Sequence, residues 1–83
     1  MNGEARRDST AAILAAAERE FSRGGFAAAR MARIAAEAGL PKTNLHYYFG
    51  TKERLYRAVL ERILTQWLDA AAEAARLRLR PIV

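Results

Sequence analysis

Four apolar, helix-spaced stretches separated by glycine constrain this sequence more than any other feature. Gly24-Gly25, Gly39 and Gly50 divide the 83 residues. Between them, large apolar side chains recur three and four positions apart, the repeat of one helix face. Asp8, Ser9 and Thr10 offer N-cap oxygens, and Ile13, Leu14, Ala17 and Phe21 then line one face, predicting a first helix over 9–23. Phe26 is expected to plug the core. Met31, Ile34, Ala35 and Ala38 predict a second helix that Gly39 ends. Pro41 suits the first turn of a third, which runs to about Tyr48 with Leu45 and Phe49 on its inner side. Thr51 is placed to cap a long fourth helix, in which Leu55, Val59, Ile63, Trp67 and Leu68 extend the apolar stripe to about Arg78. The tail from Arg76 to Val83, with Pro81, is expected to fray.

Composition supports an all-α fold and removes several function classes. The apolar fraction is 52%, but 19 of those residues are Ala, the best helix former and a weak core former. Val and Thr are scarce, so strands have little support. With no cysteine and one histidine there is no disulfide, thiolate zinc site, cysteine nucleophile or histidine cage. No nucleophile–base pair stands out. Asp69 and Glu73, four apart, have no general-acid surroundings. The expectation is a non-enzymatic protein without cofactor or metal. No stretch approaches the roughly 20 apolar residues of a membrane span, and the polar N-terminus lacks a signal-peptide core, so a cytoplasmic protein is expected. The net charge of +5 and pI near 10.4 point to a polyanionic partner.

The segment from Arg33 to Leu45 gives that partner a shape. Two short helices flank a tight glycine turn, the helix-turn-helix plan in which the second helix enters the DNA major groove. It needs a small residue for close helix approach, met by Ala35, a glycine for the turn, met by Gly39, and an apolar lock, met by Leu45. The outer face of the third helix carries Lys42, Thr43, Asn44, His46 and Tyr47, donors and acceptors suited to phosphates and base edges. No acidic residue lies between Pro41 and Lys52. Thr51 and Lys52 open the fourth helix, where a helix N-terminus beside a lysine makes a phosphate seat. Arg54, Arg57 and Arg62 alternate with Glu53 and Glu61 and read as a solvated face.

The run Ile13 to Phe21, Gly25-Phe26, Ile34-Ala35, Ala38-Gly39, and then Lys42 through Leu55 closely resembles the DNA-binding domain of TetR-family repressors. The block Leu45 to Glu53 carries most of that resemblance. The Lys42 to Leu45 start, Ile63-Leu64 and Trp67-Leu68 also resemble the pyrimidine-utilisation regulator branch. The resemblance implies a homeodomain-like fold, three helices with a helix-turn-helix at about 30–49 followed by a long fourth helix. It implies Lys42, Thr43, His46 and Tyr47 at the groove or its phosphates, Lys52 on a phosphate, and Leu45 and Phe49 in the core. Ala29 and Arg30 depart from the pattern. They stand where a hydroxyl residue often caps the second helix, which puts that cap in doubt, although Arg30 can still reach a phosphate. His46 replaces a common tyrosine.

The expected organisation is a flexible basic arm over 1–7, with Arg6 and Arg7 free to touch the backbone or minor groove. A DNA-binding domain over 8–67 follows, and then the end of a connecting helix over 68–83. The first helix can cover only the early part of the fourth helix's stripe. Leu60, Ile63, Leu64, Trp67 and Leu68 therefore suggest a chain that is a fragment or a shortened relative. In the family a C-terminal domain supplies the homodimer interface and the pocket for a small-molecule inducer. The expected partner is an operator in double-stranded DNA. The alternatives are a helical protein-interaction module and a non-specific polyanion binder.

Overall fold

The computed structural model describes residues 3–78. They form four helices, α1 (Gly3–Ala28), α2 (Met31–Ala38), α3 (Lys42–Phe49) and α4 (Lys52–Arg78). The described residues are thus all-α, and α2 and α3 occupy the span expected of the helix-turn-helix. No described helix is long and apolar enough to cross a membrane.

The first helix begins earlier than the cap residues suggested. The Thr10 hydroxyl donates to the Arg7 carbonyl at 3.0 Å, running back along the helix instead of capping it. No strong helix breaker lies between Glu4 and Arg23, and Glu4 in the first turn suits the positive helix end. Gly3 to Arg7 are therefore helical where a flexible arm was expected, and Met1 and Asn2 lie outside the described residues. The glycine pair interrupts α1 as expected. Gly25 adopts φ 81°, ψ −179°, a conformation costly for any residue with a Cβ. The kink returns Phe26 to the core, where it meets Tyr56 edge-on at 5.1 Å, while Tyr56 meets Phe21 at 4.9 Å.

One core holds the helices together. Ile13, Ala16, Ala17 and Phe21 of α1 pack with Ile34 and Ala35 of α2, Leu45 of α3, and Leu55 and Val59 of α4. Ile13, Ile34, Leu45 and Leu55 are fully buried, each contributing roughly 1.5–3 kcal/mol of transfer free energy. Small Ala35 at the crossing lets α2 lie close to its neighbours. Gly39 (φ 74°) closes α2 in the left-handed conformation; its N–H and that of Leu40 return to the Ala36 and Ala35 carbonyls at 3.2 and 3.0 Å. At the start of α4, Thr51 Oγ1 accepts the Arg54 N–H at 3.1 Å, the cap expected there.

The uncapped start of α2 has a different solution. Arg30, its N-cap, provides no side-chain cap. Glu20, buried on α1, instead accepts the Arg30 backbone N–H at 3.2 Å. Its other oxygen takes the Arg23 guanidinium at 3.1 Å and faces Arg33 at 3.9 Å. Arg23 continues to Glu37 at 2.6 Å, and Arg19 reaches Glu37 at 3.1 Å. This network ties α1 to both ends of α2.

Beyond Val59 the fourth helix leaves the core. Ile63 is still partly covered, and Arg62, expected to be solvated, pairs with Glu18 of α1 at 3.3 Å. Leu60, Leu64, Trp67 and Leu68 are exposed, Trp67 by 74%, as the short reach of α1 implied. Of the tail from Arg76 to Val83, where fraying was expected, Arg76 to Arg78 continue α4 and 79–83 lie outside the described residues.

Candidate nucleic-acid interface

Helix α3 contains no acidic residue and has one deep anchor. Leu45 locks it into the core, and half-buried Tyr48 and Phe49 continue the inner face. That anchoring turns Lys42, Thr43, His46 and Tyr47 outward, all exposed. They stand at positions i, i+1, i+4 and i+5, one face of a helix. Tyr47 is 77% exposed. Asn44 is half-buried, so it belongs to the edge of this face and not to its centre.

His46 is oriented by its own helix end. Its Nδ1 lies 3.1 Å from the Gly50 carbonyl oxygen. Because a carbonyl only accepts, Nδ1–H is the donor. In the neutral ring Nε2 is then left as an acceptor.

Arg30 is exposed at the N-cap of α2, its backbone N–H held by Glu20. Among the described residues, neither Arg30 nor Lys42 takes part in an ion pair, whereas Arg19, Arg23, Arg33, Arg62 and Arg76 all do. Arg30 and Lys42 are thus among the cations that no glutamate neutralises.

Lys52 sits differently from the other candidates. Its ammonium donates to the Ala29 and Ala27 carbonyls at 3.0 and 3.4 Å and stands 4.5 Å above the Phe26 ring centroid. It staples the α1–α2 turn to the start of α4. An ammonium has three donors, so one N–H remains beyond these two carbonyls. The structure thus brings Lys42, Thr43, His46 and Tyr47 onto one face, sets Asn44 at its edge and Arg30 on α2, and engages Lys52 in the fold.

Sequence reasoning did not find the Glu20 network or the Lys52 staple. Glu20 stands four residues after Ala16 and three after Ala17, on the apolar face of the first helix, and that phase was the available signal for the first. A lysine 23 residues from Ala29 gives no local signal for the second.

The sequence pattern of the family described as bacterial regulatory proteins, tetR family, matches residues 13–59. The HTH-type transcriptional regulator RutR of Escherichia coli (strain K12) is 56% identical over 57 residues, which cover 69% of this chain and 27% of that protein. The HTH-type transcriptional repressor NicS of Pseudomonas putida is 39% identical over 61 residues, covering 74% and 29%. The HTH-type transcriptional repressor SCO4008 of Streptomyces coelicolor is 48% identical over 52 residues, covering 63% and 27%. The chain therefore spans little more than a quarter of the length of the curated relatives it matches. No solved structure gives a significant match.

Proposed function

This chain belongs to the TetR family of bacterial regulatory proteins, and from that premise we propose that it is the operator-reading part of a cytoplasmic, non-enzymatic transcriptional repressor. The observation that carries this reading is the exposed face of α3, polar, free of acidic residues and fixed from behind by Leu45. On this reading α3 lies in the major groove. Lys42 and Arg30 grip phosphates, and Tyr47 donates its hydroxyl to another. Thr43, Asn44 and His46 face base edges. With Nδ1–H held by Gly50, neutral His46 offers Nε2 as an acceptor, which suits the amino group of adenine or cytosine. Lys52 reaches a phosphate through its remaining N–H while it staples the turn.

A single domain of this kind discriminates a base by roughly 1–3 kcal/mol per good contact, too little to select one genomic site. Homodimerisation would supply the second half-site. The apolar face of α4 at Leu60, Leu64, Trp67 and Leu68 supports it as the surface where two copies meet. A small-molecule inducer would act by tilting α4 and changing the separation of the two α3 helices. The same apolar face favours the second reading, a protein-interaction module that needs no DNA.

The test is duplex binding by fluorescence anisotropy across salt concentrations. If each protomer meets about four phosphates, log affinity falls against log salt with a slope of roughly −3.6. Tyr47→Ala is expected to weaken binding to every duplex. Unchanged affinity at fixed salt removes α3 from the interface, and oligomerisation without salt-dependent DNA binding favours the interaction module.

A further inference from the structure

The start of α1 forms a second polar surface beside α3. The Arg6 guanidinium stands 5.8 Å above the Tyr48 ring centroid, and Tyr48 meets Tyr47 edge-on at 5.1 Å. Ala5, Arg6, Ser9, Tyr47 and Tyr48 line an open cleft of about 410 Å³. Among the described residues Arg6 has no carboxylate partner. Its neighbours Glu4 and Asp8 are two positions away on the helix and face elsewhere. The ring holds a side chain that is otherwise rotamer-rich over one spot. Less conformational freedom is then lost when the guanidinium engages a ligand. A planar fork of donors without a counter-ion, in a cleft that the hydroxyl-bearing residues Ser9 and Tyr47 also line, matches a tetrahedral oxyanion.

We propose that this cleft is a binding site for a phosphodiester of the duplex, with Arg6 its principal ligand. Tyr47 belongs both to the cleft and to the exposed face of α3, so the bound phosphate lies on the strand running past that face. The contact carries no base information. It sets the angle of α3 in the groove by gripping the backbone from a second helix. The site rests on the reading of this chain as a DNA binder.

The experiment measures anisotropy of one labelled duplex from about 50 to 200 mM salt for the wild-type protein, Arg6→Gln, Arg6→Lys and Arg76→Gln. Arg6→Gln is expected to reduce the salt slope by about 0.9 per protomer, so that it loses roughly 3.5-fold less affinity over that range than the wild type. Arg6→Lys is expected to restore the slope but not the full affinity, because an ammonium cannot fork onto a phosphate. Arg76→Gln removes the same charge far along α4 and is expected to leave the slope unchanged. A wild-type slope in Arg6→Gln, or equal reductions in Arg6→Gln and Arg76→Gln, overturns the Arg6 site while leaving DNA binding intact. Absence of salt-dependent binding by the wild type overturns the DNA-binding reading itself, and the site with it.

Discussion

Lys52 shows how one side chain can answer to two demands. Its sequence position, just inside α4 and after Thr51, is that of a phosphate ligand. Its three-dimensional position is that of a staple, because the kink at Gly25 presents the Ala27 and Ala29 carbonyls to it. A charged donor on partly buried carbonyls is worth more than a neutral one. Lys52→Met keeps the alkyl packing over Phe26 and removes both bonds. We expect it to lower stability by about 1–2 kcal/mol, read as a fall in the urea midpoint. An unchanged midpoint means the ammonium contributes nothing to the fold. His46 is legible in the sequence as an exposed polar residue of α3. Which of its nitrogens faces outward is not, because that depends on the Gly50 carbonyl at the helix end.

Between helices, the arrangement of α1 and α2 depends on charge as much as on packing. The Ala29-Arg30 departure leaves α2 without a hydroxyl cap, and Glu20 from α1 fixes the start of the helix by accepting the N–H of the N-cap residue Arg30 instead. Glu37 anchors the other end. Its hydrogen bond from Arg23, helped by Arg19, holds its carboxyl below the ordinary glutamate range. A carboxyl lowered on folding adds stability above its unfolded value and loses that contribution as pH falls through the folded one. Glu37→Gln is therefore expected to melt below the wild type near neutral pH. The gap should close on acidification, as pH falls below the ordinary glutamate range and through the lowered folded value. Thermal melts followed by circular dichroism check this, and a gap that stays constant with pH assigns the effect to something other than the Glu37 charge. Helix identities and their glycine ends were readable from spacing. The start of α1 was not, because Ser9 and Thr10 look like caps locally and nothing in their own vicinity shows that the helix continues to Gly3.

Across the molecule, the core ends while α4 continues. Leu55 and Val59 are buried, but Leu60, Leu64, Trp67 and Leu68 are exposed on a helix about 40 Å long. A contiguous apolar face of this kind marks an interaction surface. Trp67, the single tryptophan of the chain, reports on it directly. If two copies pair over this face, Trp67 emission shifts to the blue as protein concentration rises, and Leu64→Glu abolishes the shift. Emission that does not change with concentration removes pairing of this chain through α4. The polar face of α3 and the apolar half of α4 lie on different helices, so Leu64→Glu is expected to spare the contacts of α3.

Residue spacing alone fixed the number and type of helices, the Gly39 turn, the burial of Leu45 and an outward set of Lys42, Thr43, Asn44, His46 and Tyr47, of which packing half-buries Asn44. These follow from periodicity and from backbone preferences of neighbouring residues, which are local. Packing of the helices decided that Glu20 accepts the Arg30 N–H at the start of α2, that Lys52 staples the α1–α2 turn, and that Arg6 comes to rest on Tyr48. Each of these joins groups far apart in the chain, and their distances are set by how α1 packs against the other helices.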